Sequence, residues 1–317
     1  MKVLVTGGAG FIGSHMTERL VKAGHAVIVF DDLSTGRLSN LAAVSGAYEL
    51  VTGHVADADT VAKSVAGCDA VVHLAAVASV QASIDSPLRT HEANLSGSIQ
   101  VFEAAARSGV GRVVYASSAA VYGEAQDLPI REDAPTSPMS PYAVDKLAGE
   151  YYLAHYGRSG AFAVNAFRFF NVYGPRQDPT SPYSGVISIF LDRARRGEGV
   201  TIFGDGSQTR DFVYVHDLVD VLMLAVTGDA ASAAGHGSSG PPAVNLAGGR
   251  SVDLLGLLAA VTEAAELSAP LPITFAPARL GDIQRSVADV SRLKELYGVV
   301  PATPLTVGLA HTYQSLS

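Results

Sequence analysis

A short apolar run that is followed at once by evenly spaced glycines constrains this fold most strongly. Residues 2–6 read KVLVT, and Gly7, Gly10 and Gly13 follow them. The apolar run predicts a buried strand, and the apolar spacing of Phe11–Ala23 predicts a helix directly behind it. Glycine in the turn between the two lets the backbone approach an anion at the helix N-terminus. The pattern therefore indicates a βα turn that binds a phosphate, rather than a glycine-rich turn without a ligand.

Short apolar runs and longer helical patterns alternate through the first half of the chain. Since strands that are separated by helices run parallel, we expect a doubly wound, Rossmann-type α/β sheet with helices on both faces. The predicted strands are Lys2–Thr6, Ala26–Phe30, Tyr48–Thr52, Ala70–Leu74, Arg112–Ala116 and Ala163–Phe167. The predicted helices include Phe11–Ala23, Pro87–Ser108 and Pro141–Tyr156.

The pattern loosens after about Asn171, where Gly, Pro and Ser become frequent. We therefore divide the chain into a Rossmann domain at 1–170 and a smaller C-terminal α/β domain at 171–317, which binds mainly the substrate. Whether the chain returns to the main sheet in this second part stays open. The low-complexity segment Gly228–Pro242 predicts a mobile surface loop without chemistry.

Composition limits the partners and the compartment. A net charge of −8 at pH 7 disfavours nucleic acids and anionic membranes as partners. No apolar run of the sequence approaches the ~18 residues that cross a bilayer, and no secretory leader precedes the first strand. Cys68 is the sole cysteine and cannot form an internal disulfide, which suits a reducing compartment. We therefore expect a cytoplasmic protein.

An acidic residue at the end of the second strand indicates which dinucleotide is bound. Asp31 follows Gly13 by about 18 residues. A carboxylate there accepts hydrogen bonds from the ribose hydroxyls of the adenosine and repels a 2′-phosphate. The sequence therefore favours NAD over NADP as the cofactor. In the alternative, Asp31 and Asp32 merely form the turn before Leu33.

A tyrosine and a lysine four residues apart form the candidate catalytic pair. Tyr142 and Lys146 lie in SPYAVDK, where Pro141 can begin a helix, so both side chains fall on one helical face. A phenol with an unperturbed pKa near 10 is no base at neutral pH. A neighbouring ammonium and a positively charged nicotinamide would stabilise the phenolate, and a pKa lowered by about three units corresponds to roughly 4 kcal/mol. The pair is common in proteins; its position after the fifth strand of a dinucleotide fold gives it meaning.

Two serines, Ser117 and Ser118, follow the fifth predicted strand in YASSAAVYG. The carboxyl ends of parallel strands carry the ligand in this architecture. We expect Ser118 to hold a substrate hydroxyl and to complete a triad with Tyr142 and Lys146. An N-cap or turn role for Ser118 is the alternative.

The chain resembles the extended short-chain dehydrogenases/reductases, and among them the UDP-glucose (UDP-galactose) 4-epimerase family. The matching stretches cover nearly the whole chain and read TGGAGFIGSH, DDLSTG, HLAA, SSAAVYGE, SPYAVDK, RFFNVYGPRQ, SPYSGVIS, IFGDGSQTRDFVYV, ARLGD and SVADVSRLKELYG. They are specific for a nucleotide-sugar enzyme and less specific for its reaction. The resemblance implies a UDP-sugar substrate, bound NAD and C4 epimerisation through a transient 4-keto sugar.

Three features separate the related reactions. By resemblance, 4,6-dehydratases carry an Asp-Glu pair after the serine or threonine, and UDP-glucuronate decarboxylases carry a Glu before Val-Tyr-Gly. This chain has Ala119 and Ala120 at these places, and its Cys68 lies far from the serine that GDP-sugar 3,5-epimerases pair with a cysteine. Epimerisation of UDP-glucose and UDP-galactose is therefore expected. A UDP-glucuronate 4-epimerase, a dehydratase or a reductase is the alternative, and a catalytically silent NAD-binding protein is a third interpretation.

The resemblance also implies residue roles. The expected cofactor-binding residues are Gly7, Gly10, Phe11, Ile12, Gly13, Asp31, Asp32, Ser34, Thr35, Gly36, Val55, Leu74, Ala75, Ala76, Ser117, Tyr142 and Lys146. The expected substrate-binding residues are Ser118, Asn171, Val186, Thr201, Phe203, Arg210, Arg279, Asp282 and Ser286. Guanidinium forks match phosphate oxygens, so Arg210 and Arg279 are expected at the diphosphate, with Arg176 and Gln177 as weaker candidates. No metal site is expected.

One position departs from the family pattern at the cofactor site. The family usually has an Asp after the third strand that reads the adenine amino group, whereas this chain has His54, followed by Val55. We therefore expect the adenine contact to be altered, or to pass to the backbone groups of Val55.

The resemblance further implies a homodimer in which Pro87–Ser108 and Pro141–Tyr156 pair into a four-helix interface. The small and apolar residues that suit such packing, although they could pack on their own sheet instead, are Ala93, Val101, Ala104, Ala105, Ala143 and Leu147. In the family, a bulky Tyr at the place of Ser286 restricts the sugar pocket. A serine there leaves room for an acetamido group, so N-acetylated UDP-hexoses are expected to be accepted as well.

Overall fold

The computed structural model describes residues 1–179, 185–228, 243–278 and 283–316. Its strands are β1 (Lys2–Thr6), β2 (Ala26–Asp31), β3 (Glu49–Thr52), β4 (Ala70–His73), β5 (Arg112–Ser118), β6 (Ala163–Phe169), β7 (Asn171–Tyr173), β8 (Val200–Phe203), β9 (Thr209–Tyr214), β10 (Ala243–Leu246), β11 (Ser251–Asp253) and β12 (Ile273–Ala276). Its α-helices are α1 (Phe11–Lys22), α2 (Ala58–Val65), α3 (Val80–Asp85), α4 (Pro87–His91), α5 (Gly97–Arg107), α6 (Pro141–Arg158), α7 (Val186–Arg196), α8 (Val215–Thr227), α9 (Leu254–Ala264), α10 (Ser291–Tyr297) and α11 (Leu305–Gln314).

Seven parallel strands form the main sheet in the order β3-β2-β1-β4-β5-β6-β10. The order reverses direction at β1 and β4, so the carboxyl ends of these two strands border a crevice. The predicted strands are found within two residues at each end. The predicted fold class, a doubly wound Rossmann-type sheet, is confirmed.

The alternation of side chains along the strands explains why helices cover both faces of the sheet. In β1, Val3 and Val5 belong to one buried cluster, and Leu4 belongs to another with Phe102 of α5 and Tyr115 of β5. All three β1 side chains are inaccessible to solvent. Since successive residues of a strand point to opposite faces, a continuous apolar run requires a core on each side.

The second half of the chain contributes to three sheets. Strand β10 extends the main sheet by pairing with β6, so the chain does return to it. Strands β7, β9 and β11 form a three-stranded sheet, and β8 pairs with β12. The domain division at residue 170 stays a prediction. Of the predicted loop Gly228–Pro242, residues 229–242 lie outside the described residues.

The predicted helix Pro87–Ser108 is interrupted by a π-helical segment at Glu92–Ser96, between α4 and α5. Within it, the side-chain amide of Asn94 donates to the carbonyl of Val77, and its oxygen accepts from the amide of Val77. The helix also passes close to Val55, since a Cβ on Gly97 would lie 2.5 Å from a Val55 methyl carbon. A wider turn thus lets the helix meet two separate segments, as π turns do near functional sites.

The helix residues that the sequence suggested for a dimer interface pack within the chain itself. Ala93, Val101, Ala104, Ala105 and Ala143 are buried, and Leu147 is half-buried. They belong to the packing of α5 and α6 on the sheet, so a dimer surface on these helices needs other residues. Among the described residues, no helix combines the length and the apolar character needed to cross a membrane.

Candidate active site

The glycine-rich turn brings the backbone of β1 and α1 close to the segment after β4. Gly7 has φ +67°, and a Cβ on it would lie 2.8 Å from the amide nitrogen of Ala75. A Cβ on Gly13 would lie 2.0 Å from the carbonyl oxygen of Gly7. Gly10 precedes the first turn of α1, and no described side chain caps that turn. The amide groups of this turn are therefore open to an anion, and the close backbone contacts around Gly7 and Gly13 leave no room for a side chain at either position.

A cavity of about 550 Å³ runs along the carboxyl ends of β1, β2, β4 and β5. The residues predicted to bind the cofactor that line it are Gly7, Gly10, Phe11, Ile12, Gly13, Asp31, Asp32, Ser34, Thr35, Val55, Leu74, Ala75, Ala76, Ser117, Tyr142 and Lys146. Gly36 does not line the cavity: a Cβ on it would lie 2.5 Å from Oδ1 of Asp31, so it packs against that carboxylate. The cavity joins the glycine-rich turn to the candidate catalytic residues.

Asp31 holds together the two loops at one end of the cavity. Its carboxylate accepts from the amide of Ala9 in the glycine-rich turn and from the amide of Leu33, each at 2.9 Å. Burial raises the pKa of Asp31, and these two backbone hydrogen bonds oppose that shift. The neighbouring Asp32 accepts from the amide of Ser34. The two aspartates therefore do stabilise the turn before Leu33. Asp31 also lines the cavity, where its carboxylate is accessible to a ribose.

His54, which stands where the family usually has an Asp, also lines the cavity. Its Nδ1 accepts from the amide of Ala56 at 3.2 Å, which orients the ring. Val55 lines the cavity too and is buried against Gly97. The imidazole of His54 is thus held at the same end of the cavity as Asp31, next to the backbone of Val55.

The three candidate catalytic side chains meet at the other end. Ser140 caps α6 and Pro141 begins it, which places Tyr142 in the first turn. The side chain of Ser118 at the end of β5 interacts with the phenol of Tyr142 and acts to lower its pKa. Nζ of Lys146 lies 5.9 Å from the centroid of the Tyr142 ring. The expected triad therefore comes together.

Burial disfavours the charged forms of both Lys146 and Tyr142. It lowers the pKa of Lys146 to about 8, and the nearby Asp145 carboxylate opposes that shift. It raises the pKa of Tyr142, and the hydrogen bond from Ser118 opposes that shift. Asp145 is itself buried, and its Oδ1 accepts a hydrogen bond from Nδ1 of His91 at 2.8 Å, while Oδ2 has no hydrogen-bond partner among the described residues. Both members of the pair thus respond strongly to any charge that enters the cavity.

A buried hydrogen-bond chain supports the cavity wall after β4. The Thr6 hydroxyl accepts from the amides of Leu74 and Ala75, so its proton points to Nδ1 of His73, 2.7 Å away. Nε2 of His73 then donates to Oγ of Ser98, 2.9 Å away. Burial lowers the pKa of His73 to about 3, so the ring is neutral. The HLAA stretch of the sequence therefore has a structural reason to contain a histidine.

The predicted substrate residues are spread more widely. Ser118 lines the cavity, whereas six others do not: Asn171, Val186, Thr201, Phe203, Arg210 and Ser286. Nη1 of Arg210 donates to the carbonyls of Thr209 and Ile283. Ser286 is buried, and its amide donates to the carbonyl of Thr209. Arg279 and Asp282 lie outside the described residues.

The two weaker candidates divide in their roles. Arg176 forms an ion pair with Glu18 and donates to the hydroxyl of Ser14, so its guanidinium is tied to α1. Gln177 lines the cavity, and its side-chain oxygen accepts from the hydroxyl of Ser188. Of the two, Gln177 is placed to meet a ligand.

Several cavity residues escaped the sequence reasoning: Phe30, Gly53, Val77, Ala78, Arg89, Glu92, Ala93, Ala116, Phe169, Phe170 and Val172. Arg89 and Glu92 both fall within the single predicted helix Pro87–Ser108. The structure interrupts this helix with a π-helical segment, which the spacing of apolar residues in the sequence does not indicate. Phe169 and Phe170 could have been found, because they follow β6 at the carboxyl end of the sheet. Among the described residues, no group of three or more His, Cys, Asp or Glu side chains could hold a metal ion.

Sequence comparison identifies the relatives of this chain. The model of the NAD dependent epimerase/dehydratase family matches residues 3–240. The chain is 40% identical over 318 residues to a UDP-glucose 4-epimerase of Mycolicibacterium smegmatis, a match that covers 99% of this chain and 98% of that protein. The predicted resemblance is therefore confirmed.

Solved structures agree with this assignment. The UDP-N-acetylglucosamine 4-epimerase of Methanobrevibacter ruminantium, in complex with UDP-N-acetylmuramic acid, matches with a TM-score of 0.91 at 34% identity, over 99% of this chain and 97% of that one. The UDP-glucose 4-epimerase of Thermus thermophilus in complex with NAD matches with a TM-score of 0.85 at 35% identity, over 99% and 98%. The cofactor is NAD, as predicted. The chain belongs to the NAD dependent epimerase/dehydratase family, as an extended short-chain dehydrogenase/reductase that resembles UDP-glucose 4-epimerases.

Proposed function

We propose that the protein inverts the C4 hydroxyl of a UDP-hexose through a transient 4-keto sugar, with UDP-glucose and UDP-galactose as substrates. One observation carries this proposal: Ser118, Tyr142 and Lys146 meet at the cavity, while Ala119 and Ala120 place no further acid or base beside them. Oxidation and re-reduction at one carbon need no more than such a triad. Dehydration or decarboxylation needs additional groups at the sugar.

The glycine-rich turn and Asp31 are proposed to hold NAD. The turn can pack this closely only with glycine, because a Cβ at Gly7 would meet the backbone of Ala75 and a Cβ at Gly13 would meet the carbonyl of Gly7, and the cavity lies at the N-terminus of α1, where a pyrophosphate is favoured. Asp31 lines the same cavity and accepts hydrogen bonds through both carboxylate oxygens. NAD held by these residues would supply the hydride acceptor for oxidation of the sugar and, once reduced, the hydride donor for its re-reduction.

Tyr142 is proposed to take the proton of the C4 hydroxyl, with Ser118 holding that hydroxyl and relaying the proton. Burial raises the pKa of Tyr142, so the phenolate needs positive charge beside it. The ammonium of Lys146 supplies one such charge, and the oxidised nicotinamide supplies a second. When the sugar turns within its site, Tyr142 returns the proton to the oxygen on the other face.

The second half of the chain is proposed to hold UDP firmly and the hexose loosely. Arg210 lies on β9, where its guanidinium is oriented by two backbone carbonyls. It is proposed to bind the diphosphate together with Arg279. Asn171 begins β7, which pairs with β9, so its side chain lies near the same sheet edge. The uracil is proposed to contact Val186, Thr201 and Phe203, and the sugar or ribose to contact Asp282.

Product identification tests the proposal. The purified holoenzyme is incubated with UDP-galactose, and the products and the NADH absorbance at 340 nm are followed. Interconversion with UDP-glucose and without net NADH is expected. A stable keto or reduced sugar would instead indicate a dehydratase or reductase on the same scaffold. Turnover of UDP-glucuronate in preference to both hexoses would indicate a uronate enzyme, and no turnover of any UDP-sugar would leave a binding protein.

A further inference from the structure

Three residues at successive turns of α6 each contact a different residue at the end of β5. The phenol of Tyr142 interacts with the side chain of Ser118, and Nζ of Lys146 donates to the carbonyl of Ala116 at 2.8 Å. One turn further on, a carboxylate oxygen of Glu150 accepts from the hydroxyl of Ser117 at 2.5 Å. Residues four apart share one helical face, so this face of α6 contacts the strand end at three points. Two of these points carry the proposed chemistry; at the third, Ser117 is an expected cofactor-binding residue and Glu150 has no assigned role.

Glu150 is fully buried, and Arg168 of β6 fixes it in place. The guanidinium donates to both carboxylate oxygens, from Nε at 2.9 Å and from Nη2 at 2.7 Å. A two-pronged contact of this kind fixes direction as well as distance. Arg168 is also the β6 partner of Ser117 in the register of β5 and β6. The carboxylate therefore bridges the helix, the strand end and the neighbouring strand.

A buried ion pair is a costly way to hold elements together. Removing two charges from water costs several kcal/mol per ion, and apolar residues of similar volume often stabilise a fold equally well. What the pair adds is direction, because a carboxylate oxygen accepts from Ser117 only in a narrow geometry. Helix α6 packs closely against β5, because a Cβ on Gly149 would lie 2.3 Å from the hydroxyl oxygen of Tyr115. Fine positioning at this contact thus depends on Glu150.

We propose that Glu150 is a positioning residue for the reaction. Clamped by Arg168, it holds Ser117, and through Ser117 it fixes the end of β5. The Ala116 carbonyl and the Ser118 hydroxyl on either side then keep Lys146 and Tyr142 in their reacting arrangement. This role rests on the proposed function, since it is the Tyr142 chemistry that the arrangement serves.

Single and double variants of the holoenzyme test the role. Ser117→Ala removes the hydroxyl and leaves the Glu150–Arg168 pair intact, whereas Glu150→Gln alters the carboxylate. Each variant is expected to lower kcat at least tenfold and to change KM less than twofold, because a catalytic group displaced by about 1 Å costs up to about 100-fold in rate. The double variant is expected to be no slower than Glu150→Gln, since both changes break one connection. Effects that multiply, or a Glu150→Gln enzyme with unchanged kcat, would overturn the proposal.

A matched control lies on the far side of the same guanidinium. Arg168 also donates to the hydroxyl of Tyr122, at 2.9 Å. Tyr122→Phe removes this buried hydrogen bond and the one that the Tyr122 hydroxyl donates to Asn245, and it leaves the groups of Glu150 and Ser117 in place. It is expected to lower the thermal stability and to leave kcat within twofold of wild type. If Tyr122→Phe reduces kcat as much as Ser117→Ala does, the network is merely structural and the proposal fails.

A readout without substrate separates this proposal from the proposed function. The ultraviolet titration of the holoenzyme near 295 nm is compared with that of Tyr142→Phe, which isolates one phenol among the 12 tyrosines of the chain. In Ser117→Ala and Glu150→Gln, the midpoint of Tyr142 is expected to rise by at least half a pH unit, because Lys146 is no longer held beside it. An unchanged midpoint would contradict positioning. A raised midpoint in a protein that does not epimerise UDP-hexoses would uphold it and reject the proposed reaction.

Discussion

Nζ of Lys146 lies 5.9 Å from the centroid of the Tyr142 ring, one helical turn away on the same face of α6. Burial disfavours the charged form of both groups: it lowers the pKa of the lysine to about 8 and raises the pKa of the tyrosine. The lysine therefore still carries most of its charge at pH 7, whereas the tyrosine favours its neutral form. A cationic nicotinamide ring favours the phenolate, so binding of the oxidised cofactor and activation of the base are linked.

Tyr142→Phe is expected to lower turnover by more than a thousandfold and to leave NAD bound. The phenol is the proposed acid and base, a role that contributes about 10² to 10⁴ in rate, and phenylalanine fills the same volume. Turnover is measured with UDP-galactose, and retained NAD is measured after denaturation of the purified protein. Ser118→Ala serves for comparison and is expected to lose less, because water can partly relay the proton. A Tyr142→Phe enzyme within tenfold of wild type would remove Tyr142 from the mechanism.

The buried His73 is expected to make the fold sensitive to acid. Its pKa in the folded chain is about 3, below the ordinary 6.5, so the unfolded chain binds the proton first. The stabilisation is complete above pH 6.5 and is lost as the pH falls toward 3. From pH 7 to pH 5 this corresponds to about 2 kcal/mol of unfolding free energy for one histidine.

Urea unfolding at pH 7 and pH 5 measures this sensitivity. His73→Gln should lose less stability between the two pH values than wild type, although it begins less stable because Thr6 and Ser98 lose their partner. His155 lies exposed on α6, and His155→Gln should behave like wild type. Equal pH dependence in His73→Gln and in wild type would show that His73 is not the acid-sensitive group.

Much of this fold and part of its site follow from local sequence patterns. Strands β1 and β2 and the turn at Gly7 are formed by residues that are close together in the chain, so the local pattern of apolar residues and glycines predicts them. The Glu150–Arg168 pair joins a helix to a strand through tertiary packing, and no spacing rule indicates it. The π-helical segment that contains the cavity residue Glu92 is similarly hidden, because its residues also suit an ordinary helix. The sequence thus predicts site residues that belong to a local motif, and it misses residues that reach the site only through tertiary packing.

Asp31 is expected to enforce NAD. The purified protein should release NAD on denaturation, and apo-enzyme reconstituted with NADP should show less than about 1% of the activity, because a 2′-phosphate would meet a buried carboxylate. Mass spectrometry of the released nucleotide measures the first point. Asp31→Asn removes the charge and keeps an acceptor oxygen for one of the amides of Ala9 and Leu33, and it should raise the relative activity with NADP more than the neighbouring Asp32→Asn does. Purified protein that carries NADP would contradict this expectation.

A homodimer is expected to form through exposed apolar side chains of α3, α4 and α6, which pack against one another. The exposed residues are Val80, Ile84, Leu88, Val144, Tyr151 and Tyr152, and Leu88 is 85% exposed. Apolar side chains clustered on a surface favour an interface. Sedimentation at micromolar concentration should therefore show a dimer, and Leu88→Asp with Tyr151→Asp should shift it to monomer. Val307→Asp, at an exposed apolar position of α11, should leave the dimer intact. A wild-type monomer would contradict the expectation.

The substrate range is expected to include UDP-GlcNAc and UDP-GalNAc, because the family resemblance places Ser286 where a bulky tyrosine would restrict the sugar pocket. Ser286 is buried, and its amide donates to the carbonyl of Thr209, next to the proposed diphosphate ligand Arg210. Ala119 supplies no hydroxyl for the N-acetyl oxygen, which costs about 1 kcal/mol of binding, whereas a steric clash can exclude the substrate altogether. The steric effect should therefore decide the range.

The ratio of kcat/KM for the acetylated and the plain sugar measures this range. Wild type should turn over both, and Ser286→Tyr should lower the ratio at least tenfold. A large ring at a buried position also costs about 1–3 kcal/mol of stability, so the ratio is more informative than the rate of either sugar. Gln284→Tyr places the same ring at an exposed position two residues away and should leave the ratio unchanged. If wild type ignores the acetylated sugar, or if Ser286→Tyr leaves the ratio as it was, Ser286 does not set the substrate range.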